Sequence, residues 1–132
     1  MKPIQLIASV FSVAVLIAGC NKDELDIMDG TYKGTFTVTY DSGTQTGPTT
    51  LDLQDGKFSC QGNPNRIPAG GSGTFFSDKS KITFQDENVW TADFDWNLIL
   101  SGQYSYTFDG RKLKIFADKN KVGYYEYDLE KQ

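Results

Sequence analysis

From Gly30 onward, apolar and polar residues alternate with a period of two, and short turn signals interrupt the alternation again and again. Period two belongs to strands, because only an extended chain sends successive side chains to opposite faces. Tyr32, Gly34, Phe36, Val38 and Tyr40 alternate with Thr31, Lys33, Thr35, Thr37 and Thr39, which describes a half-buried strand with a polar outer face. Leu51 and Leu53 alternate with Asp52 and Gln54, Asp55-Gly56 signals a tight hairpin, and Phe58 and Cys60 continue on the return strand. Ile82 and Phe84 mark a further strand. The longest alternation places Trp90, Ala92, Phe94, Trp96, Leu98 and Leu100 on one face, with Thr91, Asp93, Asp95 and Asn97 on the other. Tyr104, Tyr106 and Phe108 lead into a second hairpin signal, Asp109-Gly110, and Leu113, Ile115, Tyr125, Tyr127 and Leu129 complete the inner face. No segment keeps helical periodicity for three turns. The spacing predicts an all-β fold of about eight or nine strands in an antiparallel up-and-down meander. Closing the meander into a barrel removes the exposed edges that invite aggregation.

The N-terminal segment has a different character. Lys2 precedes an apolar run from Ile4 to Ile17, and Ala18-Gly19-Cys20 follows. The run is short of the roughly 18 residues of a spanning helix, so residues 1–19 are expected to be a secretory signal peptide. Leu16-Ile17-Ala18-Gly19-Cys20 resembles the lipobox of bacterial lipoproteins, with Ile17 where Leu is commoner. That resemblance implies cleavage before Cys20 and acylation of Cys20, which would be the membrane anchor. Several acyl chains hold a protein to a bilayer where one alone does not. Residues 20–29 read as an acidic tether, and 30–132 as one domain. Lys22-Asp23-Glu24 resembles the surface-export signal of Bacteroidota lipoproteins, which implies display on the outer face of the outer membrane.

Charge and residue usage exclude several classes. The chain carries 13 basic against 17 acidic side chains and has no basic block, so nucleic acid is not an expected partner. There is no histidine, which removes Ser-His-Asp and Cys-His catalysis and the usual ligands of catalytic zinc and copper. If Cys20 carries lipid, Cys60 has no disulfide partner and is expected to be buried as a small apolar residue. Asp93 and Asp95 read as solvated acids on an exposed strand face, and Gly70-Gly71-Ser72-Gly73 as loop. No catalytic residue, metal site or cofactor is expected.

Gly30-Thr31-Tyr32-Lys33-Gly34, the run Trp90-Thr91-Ala92-Asp93-Phe94-Asp95-Trp96, and Leu100-Ser101-Gly102-Gln103-Tyr104-Ser105-Tyr106 resemble the small lipocalin-like (calycin-type) lipoproteins of Bacteroidota. The resemblance spans most of residues 28–131 and implies a calycin-like barrel. Its motifs are structural and imply no activity. The residues themselves point to binding. An inner face bearing Trp90, Phe94, Trp96, Tyr104, Tyr106, Tyr125 and Tyr127 suits a small hydrophobic ligand, although a barrel of this size is just as well filled by its own side chains. An extracytoplasmic protein would instead meet the Gly62–Gly73 loop through Asn65, Arg66 and Ile67. The expected function is therefore a membrane-anchored, non-enzymatic binding lipoprotein of the outer envelope. The alternative is an envelope inhibitor that blocks a hydrolase with the 62–73 loop.

Overall fold

The structure, a computed structural model, describes residues 28–119 and 121–132. The segment expected to be a signal peptide, Cys20 and the expected tether up to residue 27 lie outside the described residues. Eight strands run in chain order: β1 (Gly30–Tyr40), β2 (Gly43–Gln54), β3 (Lys57–Cys60), β4 (Gly71–Ser77), β5 (Lys81–Asp86), β6 (Gly102–Phe108), β7 (Lys112–Lys119) and β8 (Gly123–Lys131). Each pairs antiparallel with the next, and β8 returns to β1, so the meander closes into an up-and-down, lipocalin-like barrel. At Asp55-Gly56 both residues take left-handed backbone, with φ of 52° and 76°, as the tight β2–β3 hairpin requires.

The inward positions of the alternation meet on the barrel axis. Phe36 lies 4.6 Å from Tyr127, Phe58 lies 5.0 Å from Phe84, and Tyr104 stands edge-on to both Phe84 and Tyr127. A void able to hold water would leave accessible surface on the side chains around it. Tyr125 and Tyr127 have none, and Tyr104 keeps 1%. The interior is filled by its own aromatic and aliphatic side chains, which is the close-packed condition of protein cores. Cys60 is buried among them as expected; burial pushes its thiol up to about 11, partly offset by the Thr49 hydroxyl 3.3 Å away.

Two expectations are corrected. Residues 90–101 are not a strand. They cross one end of the barrel as a loop containing a single 3₁₀ turn, Trp96–Leu98. Leu98, Ile99 and Leu100 are all buried, and three consecutive buried residues cannot lie on one face of a two-faced strand. Conversely, Gly71-Ser72-Gly73 is not loop but the start of β4. A Cβ at Gly73 would lie 2.0 Å from the Gln85 carbonyl oxygen, so glycine here permits close approach of β5.

The Tyr127 hydroxyl is buried without a hydrogen-bond partner among the described residues, and burial raises its pKa well above the ordinary phenol value. An unpaired buried hydroxyl costs about 1–3 kcal/mol. Tyr127→Phe is therefore expected to stabilise the barrel by about 1 kcal/mol, read as a higher denaturant midpoint with an unchanged slope. A loss of stability would mean that something inside the barrel bonds this hydroxyl.

Candidate functional site

The barrel has two unlike ends. One carries only short turns, at residues 55–56, 78–80 and 109–111. Met28 plugs that end, its carbonyl accepting a 2.6 Å hydrogen bond from the Tyr32 hydroxyl. The other end carries the two long connections, residues 61–70 and 87–101, beside the turns at 41–42 and 121–122. The long loops are stitched together. Ala69 N–H donates to the Leu98 carbonyl at 2.9 Å, and Leu100 N–H donates to the Gly70 carbonyl at 2.9 Å. Ile67, Leu98, Ile99 and Leu100 are buried beneath them and roof the core.

Asp95 latches the longer loop to the barrel mouth. Its carboxylate accepts from the Tyr125 hydroxyl at 2.5 Å, the Tyr40 hydroxyl at 2.7 Å and the Asn97 N–H at 2.9 Å. Burial pushes its pKa up, but the hydrogen bonds from Tyr125, Tyr40 and Asn97 together outweigh burial and hold it below the ordinary carboxylate value. This corrects the expectation of a solvated strand acid. Asp95 also caps the 3₁₀ turn, and an Asp two residues before Asn97 is the only local sign of that role.

Arg66 reaches from the shorter loop to the longer one. Its guanidinium lies 3.1 Å from Asp93 and 4.3 Å from the centre of the Phe94 ring. Asp93 also accepts from the Thr91 hydroxyl, and that bond, then the one from Arg66, lowers its pKa. Trp90 donates its indole N–H to Asp86 at 2.6 Å and stands edge-on to Phe94. Trp96 donates to the Thr91 carbonyl at 2.8 Å and leaves 53% of its surface exposed. Val89 nearby in the loop is 98% exposed.

The residues expected to line one pocket are thus dispersed. Tyr104, Tyr125 and Tyr127 are core. Trp90, Phe94 and Trp96 sit on the roof outside the barrel, because their segment is loop and their indoles find polar partners there. Tyr106 is half-buried toward the turn end, donating its hydroxyl to the Asp78 carbonyl at 2.6 Å. Of the expected protein contacts, Asn65 is exposed and Arg66 half-exposed, but Ile67 is buried and anchors the loop. Asn63 braces that loop from within, accepting from the N–H groups of Asn65 and Ile67 and donating to the Ile67 carbonyl. What converges is the roof: Arg66 with Trp90, Phe94 and Trp96, from two regions that the sequence presents as separate sites. Among the described residues no group of three or more acidic or cysteine side chains is placed to hold a metal ion. No family model matches the chain, and comparison with curated proteins and with solved structures likewise returns no match.

Proposed function

We propose that this chain is a membrane-tethered, non-enzymatic binding lipoprotein of the outer envelope that captures a protein partner with its loop end. The observation that carries this reading is the roof itself. Two braced loops present an exposed Trp96 and a half-exposed Arg66 stacked on Phe94, and tryptophan and arginine are the residue types that dominate binding hot spots. The small-ligand version loses its support because the aromatic interior is packed against itself. The tether joins at the turn end, through Met28, so a lipid on Cys20 would leave the loop end facing away from the membrane. The resemblance of Lys22-Asp23-Glu24 to the surface-export signal of Bacteroidota lipoproteins supports display at the outer face. Inhibition of a hydrolase is one form of this reading, favoured by the internal bracing of residues 63–67.

The test is photo-crosslinking in the native envelope, with the photoreactive group placed in turn at positions 66, 96 and 112. Positions 66 and 96 are expected to yield the same protein adduct, and position 112, near the turn end, none. Trp96→Ala is expected to weaken affinity for the captured protein by about tenfold or more. Adducts from position 112 alone, or unchanged affinity in Trp96→Ala, would overturn the proposal.

A further inference from the structure

The β2 strand is paired on both sides for only part of its length. Leu51–Gln54 pair with β3, whereas Gly43–Thr50 face β1 on one side and no second strand among the described residues. The direction of the open side follows from two hydrogen bonds. Gln61 N–H donates to the Thr50 carbonyl at 2.8 Å, so even-numbered β2 residues turn their main-chain groups toward the β3 side. Gln132 N–H donates to the Thr31 carbonyl, which aims the odd-numbered residues of β1 at β8 and its even-numbered ones at β2, in the same register. Thr44 and Thr46 therefore each present an N–H and a carbonyl along an unpaired edge. Pro48, next on that edge, has no N–H and ends it.

The 61–70 loop does not cover this edge. It passes over the inner face of β2, where the Ile67 carbonyl sits so close that a Cβ at Gly47 would lie 1.8 Å from its oxygen. Between the edge and the loop lies a groove of about 480 Å³, bounded by Gln45, Thr46 and Pro48 on one wall and by Asn63, Pro64 and Asn65 on the other. None of its lining side chains is ionised.

Given the reading of the chain as a protein binder, we infer that this groove takes an extended, uncharged segment of the partner protein, added as a strand to the Thr44–Thr46 edge. Main-chain bonding supplies the attraction in this mode, and pockets along the groove select alternate side chains. The neutral lining selects threonine-, serine- or valine-rich segments over charged ones, since a charge leaving water here meets no opposite charge. A second copy of this chain fits worse. Its own β2 arrives with β1 already attached about 4.8 Å away, and the Asn63–Asn65 wall stands in that space.

The probe is a phage-displayed library of random peptides, selected on the full chain in detergent. Selected peptides are then synthesised plain and with alternate main-chain nitrogens methylated. Thr46→Pro removes an edge N–H that the β1 pairing does not use, and Thr46→Ala keeps it. The expected result is about tenfold weaker binding with Thr46→Pro and with the methylated peptide, and unchanged binding with Thr46→Ala. The methylated peptide needs no variant, so a misfolded Thr46→Pro leaves the test intact. Equal binding of plain and methylated peptides would overturn the inference, as would failure to enrich any peptide. A dimer in sedimentation that Thr46→Pro returns to monomer would also overturn it. Partner capture that falls with Trp96→Ala but not with Thr46→Pro would remove the edge site and leave the loop-end reading standing.

Discussion

Gly34→Ala is expected to leave the barrel seam unable to close. Gly34 sits on β1 opposite Leu129 of β8. A Cβ there would lie 2.0 Å from the Asp128 carbonyl oxygen and 2.9 Å from the Leu129 Cα. Both obstacles are backbone, so no rotamer change relieves the clash. Asp128 cannot retreat easily either, because it pairs with Thr35 on one side and Lys114 on the other. Overpacking costs about 1–3 kcal/mol when side chains can adjust, and a backbone collision lies at the top of that range or beyond it. With roughly 4–8 °C of melting temperature per kcal/mol for a domain of this size, the variant should melt well over 10 °C lower, or fail to fold. Thr35→Ala, one position along on the exposed face, is the comparison and should change stability by about 0.5 kcal/mol or less. Equal melting of Gly34→Ala and wild type would mean that β1 and β8 do not approach as described.

The second large effect is expected at Asp95. Asp95→Ala removes the acceptor of two tyrosine hydroxyls and the cap of the 3₁₀ turn at one stroke. Hydrogen bonds to charged groups contribute about 1.5–3 kcal/mol each, and the freed hydroxyls regain water only in part, so a loss of about 2–3 kcal/mol is expected. Asp95→Asn, which keeps one acceptor oxygen, should lose less. The same network predicts a pH dependence with opposite limbs. Asp95 holds its proton less tightly in the folded chain than in the unfolded chain. Its contribution is therefore complete above the unfolded value of about 3.9 and disappears as pH falls through the lower folded value. The gap in stability between wild type and Asp95→Ala should narrow over that acid interval. The tyrosines act at the other limit. Burial, reinforced by Asp95, pushes Tyr40 up to about 12 and raises Tyr125 further. Their contribution is complete below the unfolded value of about 10 and is lost as pH rises through the folded values. Denaturant midpoints measured across pH check both limbs. A midpoint for Asp95→Ala that matches wild type at neutral pH would mean that the roof is held by its apolar contacts alone.

The barrel was legible from the sequence because its signals are local. Phe36 and Val38 alternate with threonines, Asp55-Gly56 and Asp109-Gly110 name their hairpins, and each strand finds its partner in the next one along. The roof was not legible, for two reasons. Trp90, Phe94 and Trp96 are spaced like a strand face, and only the consecutive burial of Leu98, Ile99 and Leu100 reveals that the chain turns under the loop there. The role of Asp95 depends on Tyr40 and Tyr125, which lie 55 and 30 residues away, and no local pattern encodes that meeting. The upper half of β2 was hidden for the opposite reason. Gly43–Thr50 contains threonine, glutamine, glycine and proline but no apolar alternation, because much of that stretch stands clear of the core.

The seam between β1 and β8 also sets an order of assembly. Seven of the eight strand pairings join sequence neighbours and can zip as hairpins, paying little loop entropy. The eighth brings Phe36 to Tyr127 across nearly the whole domain. Until it forms, two long strands rich in tyrosine and threonine hold their edges open to any passing chain. By contact order the last pairing to form is thus also a guard against self-association, and the time a newly made chain spends as an open ribbon is the interval in which it is most exposed to misassembly.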